Sequence, residues 1–451
     1  MMQFESISPI SNSIVWFKSL DTPKSWQEWL SRTLQESSLA SRQSVLSKLA
    51  ELLRNQAEVL SFEISEEMGK PITQAKAEVL KCASALDWYA QLPLNVFGPN
   101  EHENGGLCWK SMRKPLGTIL LIMPWNFPFW QVIRAAAPAY LAGNRLLLKH
   151  APNVGRCARQ LEKLFHQAGA DPVSFKSIYV DIDQVEPLLA DPRVNGVSLT
   201  GSTKAGKSVA ALAGKYMKKG VFELGGSDPF IVLPEAPFEE TIKGMMLGRL
   251  QNNGQSCIAA KRFLIPEKDL PEYLNGLTKS LQALHVSANA LDPTVDVGPL
   301  ARADLKTGLM AQLSRSEQQG VEVAFVLPNV EEQHPCLVAP RILIAKQAGT
   351  VARQEELFGP FFTLIPYSTR DEAIAIANET EYGLGASIWG GSKLDFSEMA
   401  SRLNCGAVFH NEIVRSDARV PFGGIKDSGY GKELGLEGLF EFTYLQTLIS
   451  A

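Results

Sequence analysis

The sequence predicts an α/β protein made of two parallel-sheet domains. Short apolar runs alternate with helix-length amphipathic stretches through most of the chain, the pattern of strands covered by helices on both faces. That alternation occurs twice, with a break at Gly225-Gly226. At 451 residues the chain is also longer than one hydrophobic core usually serves.

The first part of the chain reads as helical. Across residues 41–60 the apolar residues Val45, Leu49, Leu52 and Leu53 fall at i, i+4, i+7 and i+8, the stripe of a core-facing helix. Helical pattern continues to about Tyr89. Strand candidates follow at 118–123, 145–148, 177–180 and 196–199, and past the break at 230–233, 261–265, 321–327 and 361–366. The expected division is a first domain over 1–225, a second over 226–412, and a segment over 413–451 that returns to the first. Residues 101–116 and the tail from Lys432 read as unpaired arms. The tail carries Leu439, Phe440, Phe442, Tyr444 and Leu445, enough apolar surface to pack on a neighbour or at home.

Composition excludes several function classes. A formal charge of -4 and a pI near 6.0 leave no basic excess for holding nucleic acid by its phosphates. The six cysteines, Cys82, Cys108, Cys157, Cys257, Cys336 and Cys405, show no C-x-x-C pair, so neither a disulfide framework nor a thiolate metal site is expected. No basic-then-apolar leader opens the sequence, and its densest apolar stretch, 119–123, is too short to span a bilayer. A cytoplasmic protein with no membrane partner is the expectation.

Gly201-Ser202-Thr203-Lys204-Ala205-Gly206-Lys207-Ser208 fits the P-loop pattern at every position, between a predicted strand and a helix with Ala205, Val209, Leu212, Ala213 and Tyr216 on one face. Alone it suggests a nucleoside triphosphatase. A magnesium-binding Asp on a later strand is lacking, since Asp181 precedes the loop and heads an Asp-Ile-Asp turn. The underlying physics suits any phosphate: a strand, a glycine turn and a helix N-terminus present free N–H groups and a positive dipole end. A dinucleotide pyrophosphate fits equally well, although no G-x-G-x-x-G occurs in the chain.

Other stretches carry more specific chemistry. They are Trp125-Asn126-Phe127-Pro128, Glu223-Leu224-Gly225-Gly226 and Asn252-Asn253-Gly254-Gln255-Ser256-Cys257, framed by Glu66-Glu67-Met68-Gly69-Lys70-Pro71 and Pro421-Phe422-Gly423-Gly424-Ile425-Lys426. In this order they resemble the aldehyde dehydrogenase superfamily over most of the chain. Leu148-Lys149-His150-Ala151-Pro152-Asn153, Gly225-Gly226-Ser227-Asp228-Pro229-Phe230 and Ser416-Asp417-Ala418-Arg419-Val420 are most similar to its bacterial succinate-semialdehyde dehydrogenases. The resemblance implies an aldehyde dehydrogenase-like fold, with a Rossmann-like NAD(P)-binding domain, a catalytic domain and a small oligomerisation arm. It also implies a homodimer or homotetramer.

Residue roles follow from the same likeness. Cys257 is expected to attack the aldehyde and form a thiohemiacetal. A free thiol is only about 3% ionised at pH 7, so it needs activation. The preceding helix, with Ile242, Met245, Met246 and Leu250 on one side, is expected to end at Asn253-Gly254. Its negative C-terminal end opposes ionisation, leaving activation to the base or the bound cofactor. Asn126 is expected to stabilise the oxyanion, a contribution of roughly 2.7–4 kcal/mol for one donor. Locally it could equally be a turn asparagine. Glu223 is expected to activate the hydrolytic water, which requires a raised pKa. On local grounds it also reads as a solvated strand-end glutamate.

For the cofactor the resemblance implies Trp125, Lys149, Gly201, Ser202, Leu224, Glu356 and Phe358. Family members strict for NAD commonly carry Glu three residues after this lysine, where Pro152 stands here. With no carboxylate to repel a 2′-phosphate, NAD and NADP are both expected to serve, with a lean to NADP. For the substrate it implies Arg134 and Ser416. A second arginine of many relatives is replaced by Gln251, so Arg415 or Arg419 is a candidate substitute, and another aliphatic aldehyde or longer semialdehyde is the alternative substrate.

Overall fold

The computed structural model describes residues 3–449; Met1, Met2 and the last two residues of the tail lie outside it. An antiparallel hairpin, β1 (Gln3–Ile7) and β2 (Ile14–Ser19), leads into helices α1 (Pro23–Ser31), α2 (Leu39–Asn55), α3 (Ala57–Met68) and α4 (Ile72–Ala90). The single helix expected across 41–60 is broken at Gln56, where φ -106° and ψ 12° leave the helical region. The bend lets Leu46, Leu49 and Leu53 of α2 and Leu60 and Ile64 of α3 all reach the core, with both helices packed on α4. A hairpin of β3 (Asn100–Asn104) and β4 (Leu107–Pro115) follows.

The first alternation runs β5 (Thr118–Met123), α5 (Trp130–Leu141), β6 (Arg145–His150), α6 (Gly155–Gln167), β7 (Phe175–Ile178), α7 (Val185–Ala190), β8 (Val194–Thr200), α8 (Thr203–Lys215) and β9 (Lys219–Glu223). β7 begins two residues before the predicted strand because Phe175, fully buried and stacked 4.3 Å from Phe165, pulls the chain into register with Leu146. Tyr179 and Val180 lie beyond the strand end.

The second alternation comprises β10 (Asp228–Val232), α9 (Phe238–Leu250), β11 (Ala260–Pro266), α10 (Leu270–Gln282), α11 (Ala303–Gln318), β12 (Glu322–Val326), β13 (Arg341–Ile344), α12 (Val351–Gln354), β14 (Phe361–Tyr367), α13 (Arg370–Asn378), β15 (Gly385–Trp389), α14 (Lys393–Ala400) and β16 (Ala407–His410). The chain then returns through β17 (Gly429–Tyr430), α15 (Gly435–Glu441) and β18 (Thr443–Ile449).

Three sheets matter for the site. A six-stranded sheet has the order β17-β9-β8-β5-β6-β7, parallel except for β17. A seven-stranded sheet has the order β12-β13-β14-β11-β10-β15-β16, parallel except for β12. Their central strands are buried on both faces, which is why they read as largely apolar runs, with Asp228, Lys261 and Arg262 as buried exceptions. The segments read as unpaired arms instead pair with each other: β18 joins β4, which joins β3, in an antiparallel sheet. Of the tail, Leu439 and Phe442 are buried at home while Tyr444 and Leu445 remain exposed.

In the six-stranded sheet the chain leaves β5 toward β6 and β7, then crosses back to place β8 on the other side of β5. Such a reversal opens a crevice at the carboxyl ends of the strands. Trp125 and Asn126 follow β5, Lys149 lies near the end of β6, Gly201 and Ser202 follow β8, and Glu223 ends β9. In the other sheet Cys257 precedes β11, and Glu356 and Phe358 precede β14. The carboxyl edge of one sheet thus faces the amino edge of the other, with the candidate residues between them.

Candidate active site

The loop that presents Cys257 is held open by an unusual backbone. α9 ends at Leu250, earlier than expected, and Asn252, Asn253 and Gly254 then adopt φ of 58°, 58° and 74°. Asparagine tolerates the left-handed region because its short side chain bonds locally. Here both asparagines are tied down. Asn253 Nδ2 donates to the carbonyls of Gly69 (3.0 Å) and Pro299 (2.9 Å), and its Oδ1 accepts from Gly298 N (2.8 Å). Asn252 Nδ2 donates to Asn126 O (2.7 Å) and Gln255 O (2.9 Å). Gly254 is required, since a Cβ there would lie 2.4 Å from Gly359 O.

Beneath Cys257 sits Lys261, fully buried at the start of β11. Its Nζ donates to Ser256 O (2.7 Å) and Cys257 O (2.6 Å) and pairs with Glu356 at 3.2 Å. Sequence reasoning passed over this residue; two adjacent cations, Lys261 and Arg262, opening a strand run that is otherwise apolar were the available signal. Burial pushes the partly exposed Cys257 thiol up to about 12, against the opposing fields of Arg134 and Lys261. The resting nucleophile is therefore protonated.

Asn126 reaches this loop directly. Its Nδ2 donates to Gln255 O at 3.1 Å, which uses one of the two amide hydrogens and leaves the other free. The start of α5, just beyond, is fixed by Glu78, whose Oε1 accepts from Phe129 N (2.8 Å) and Trp130 N (2.9 Å) while Lys70 pairs with the same carboxylate. A carboxylate at a helix N-terminus is favourably placed.

Glu223 is 1% exposed, and neither carboxylate oxygen has a hydrogen-bond partner among the described residues. It is not the solvated strand-end glutamate of the local reading. Burial pushes its carboxyl far above the ordinary value; Arg134 pulls it back and Glu433 reinforces the rise. Unpaired and desolvated carboxylates are costly, and their occurrence favours a chemical role.

Arg134 and Ser416 both line a cavity of about 1260 Å³ that also contains Cys257, Phe127, Trp130 and Phe422. Arg134 is also held within the protein. Its guanidinium is 2% exposed, pairs with Glu433, donates to Thr200 Oγ1 (3.3 Å) and stacks over Phe422 at 4.7 Å. The candidate substitutes are also occupied: Arg415 pairs with Glu412, and Arg419 with Asp417.

The residues expected to hold a dinucleotide fit one. Trp125 meets Phe358 edge-on at 5.9 Å, and Glu356 Oε1 accepts from Gly226 N at 3.2 Å. A Cβ on Gly225 would come within 2.7 Å of Glu356 Oε2, and one on Gly226 within 2.6 Å of Cys257 O, so these glycines bring cofactor and nucleophile loops together. Leu224 packs on Gly206. Lys149 stands farther off, buried near the end of β6 and within the field of Asp181. Gly201 and Ser202 lead into α8, where Ser202 Oγ accepts from Ala205 N.

The P-loop match does not produce a P-loop. α8 begins at Thr203, so Gly206 and Lys207 are helical rather than wrapping a phosphate, and Lys207 pairs with Asp427. The buried face is Gly206, Val209 and Ala213, with Ala205 exposed.

Comparison with known proteins agrees with this geometry. The profile of the aldehyde dehydrogenase family matches residues 27–448. The chain is 39% identical to the succinate semialdehyde dehydrogenase [NAD(P)+] Sad of Escherichia coli, over 92% of this chain and 90% of that one. It is 40% identical to a probable succinate-semialdehyde dehydrogenase [NADP(+)] of Synechocystis, over 91% and 90%. Among solved structures, the succinic semialdehyde dehydrogenase of Streptococcus pyogenes in complex with NADP+ superposes with a TM-score of 0.95 at 32% identity, covering 99% of each chain. Matched by the family profile over residues 27–448 and sharing nearly its whole length with these proteins, the chain belongs to the aldehyde dehydrogenase family.

Proposed function

We propose that the protein oxidises succinate semialdehyde to succinate with NAD(P), using Cys257, Asn126 and Glu223 for the chemistry. The observation that carries this is the hydrogen bond from Asn126 to the Cys257 loop, which leaves one amide hydrogen unspent beside the nucleophile. Cys257 Sγ gives its proton to solvent water and bonds, as the thiolate, to the aldehyde carbon. The free Asn126 hydrogen and the Cys257 N–H receive the developing oxyanion. Bound NAD(P) would supply the hydride acceptor for this carbon; loss of the hydride leaves Cys257 acylated as a thioester. Once Glu223 has lost its proton to solvent, it takes one from water; the hydroxide oxygen attacks the thioester, the C–S bond breaks and Cys257 regains its thiol.

Trp125, Lys149, Gly201, Ser202, Leu224, Glu356 and Phe358 hold the cofactor in this reading. Lys149 beside Pro152 favours acceptance of a 2′-phosphate, in keeping with relatives named for NAD(P)+ or NADP(+). Residues 1–225 serve as the NAD(P)-binding domain and 226–412 as the catalytic domain, with 413–451 returning to the first. The exposed Leu445, Leu448 and Ile449 on β18 support pairing between subunits in a homodimer or homotetramer. No helix among the described residues is long and apolar enough to cross a membrane. A cytoplasmic setting is part of the same proposal, supported by free thiols at all six cysteines.

The test is Glu223→Gln. One rapid turnover of reduced cofactor is expected to survive while steady-state turnover falls by about 10²–10⁴, the usual worth of a general base. Equal loss of both phases removes Glu223 from hydrolysis of the thioester.

A further inference from the structure

Arg134 spends Nε on Glu433 and Nη2 on Thr200, and a carboxylate-bearing substrate gains from a further cation with no carboxylate of its own. Among the described residues lining the cavity, the cations fall into two groups. Lys70, Arg134, Arg415 and Arg419 each have a carboxylate partner. Lys243 is exposed on α9, at the surface. Lys81, on α4, is half-buried and has no carboxylate within ion-pair distance. Its nearest acidic neighbour along the helix, Glu78, is spent on Lys70 and on the first turn of α5.

Lys81 Nζ instead donates to Ser416 Oγ at 2.8 Å and lies 4.2 Å over the ring of Trp130. Trp130 Nε1 donates to the same Ser416 Oγ at 3.1 Å. Ser416 thus accepts twice, and its own hydroxyl hydrogen has no acceptor among the described residues. A cation with spare N–H groups and a hydroxyl with a spare O–H converge at one point of the cavity wall. That is an anion site waiting for both oxygens of a carboxylate. The Trp130 face holds the ammonium in place without neutralising it.

We infer that Lys81, with Ser416, binds the distal carboxylate of the semialdehyde and selects it over neutral aldehydes, the inference resting on the semialdehyde reading above.

The experiment compares succinate semialdehyde with butanal in the wild type, Lys81→Met and Lys81→Arg. Methionine keeps the apolar stem and removes the charge. For Lys81→Met, KM for succinate semialdehyde is expected to rise about tenfold or more, the scale of one charge-assisted hydrogen bond, with kcat and both constants for butanal within about threefold of wild type. Lys81→Arg is expected to restore most of the KM. Unchanged butanal kinetics also show that the variant is folded. A wild type that prefers succinate semialdehyde, combined with a Lys81→Met variant that keeps the preference or loses both substrates equally, overturns the assignment of Lys81 alone. A wild type with no preference for the carboxylated aldehyde overturns the proposed substrate, and the carboxylate site with it.

Discussion

Lys261 Nζ lies 2.6 Å from the carbonyl oxygen of Cys257, so the nucleophile's own peptide is anchored by a buried cation four residues downstream. The same ammonium pairs with Glu356, expected on the cofactor side, and therefore couples the position of the thiol to that of the dinucleotide site. Its charge also opposes the upward shift that burial imposes on the thiol.

Lys261→Met is expected to leave the carbonyls of Ser256 and Cys257 without their donor, at roughly 1–3 kcal/mol each. The melting temperature should fall, and alkylation of Cys257 by iodoacetamide at fixed pH should slow. A variant that melts and alkylates like the wild type refutes the anchoring role.

Asn126→Ala removes the side-chain donor proposed for the oxyanion. The expected loss in kcat is about 10²–10³, with little change in KM, because the bond is needed in the tetrahedral state rather than in the ground state. Pre-steady-state reduction of NADP would register the loss in the first turnover, in contrast to Glu223→Gln.

The pH dependence of turnover should carry the signature of a buried carboxyl. As the proposed base, Glu223 acts only when ionised, and burial raises its pKa, so activity is expected to be lost as pH falls through that raised value instead of near the ordinary value of 4.5. The acid limb of kcat is expected well above the ordinary carboxylate range. A limb near 4.5 would mean that the carboxyl is solvated during catalysis.

Arg134 and Glu433 form a buried pair between α5 and the return segment. Removing one partner leaves an uncompensated charge, so Arg134→Met is expected to destabilise the protein by about 3–5 kcal/mol. Its effects on KM for succinate semialdehyde and for butanal should run in parallel, as measured in a two-substrate steady-state comparison. A selective loss for succinate semialdehyde would return Arg134 to the substrate.

Local pattern was sufficient for most central strands, because residues buried on both faces are mostly apolar. Thr118–Met123 is a clear case, whereas Ala260–Pro266 also buries Lys261 and Arg262, each held by backbone carbonyls. Other strands were harder to read. β4 and β18, paired in the small antiparallel sheet with β3, looked like free arms because each supplies the other's hydrogen bonds from more than 300 residues away, while the short interior strands β9 and β13 were missed.

The sequence by itself determined the α/β class, the family resemblance and the residue types able to perform the chemistry: one thiol, one amide and one carboxylate in recognisable surroundings. Tertiary structure alone decided which charges are free. Arg134 and Lys81 are both cations on amphipathic helices, and nothing local distinguishes them. The distant Glu433 neutralises one, while the distant Ser416 leaves the other charged. Ion pairing acts through space over a few ångströms, and only the folded chain brings those partners within range.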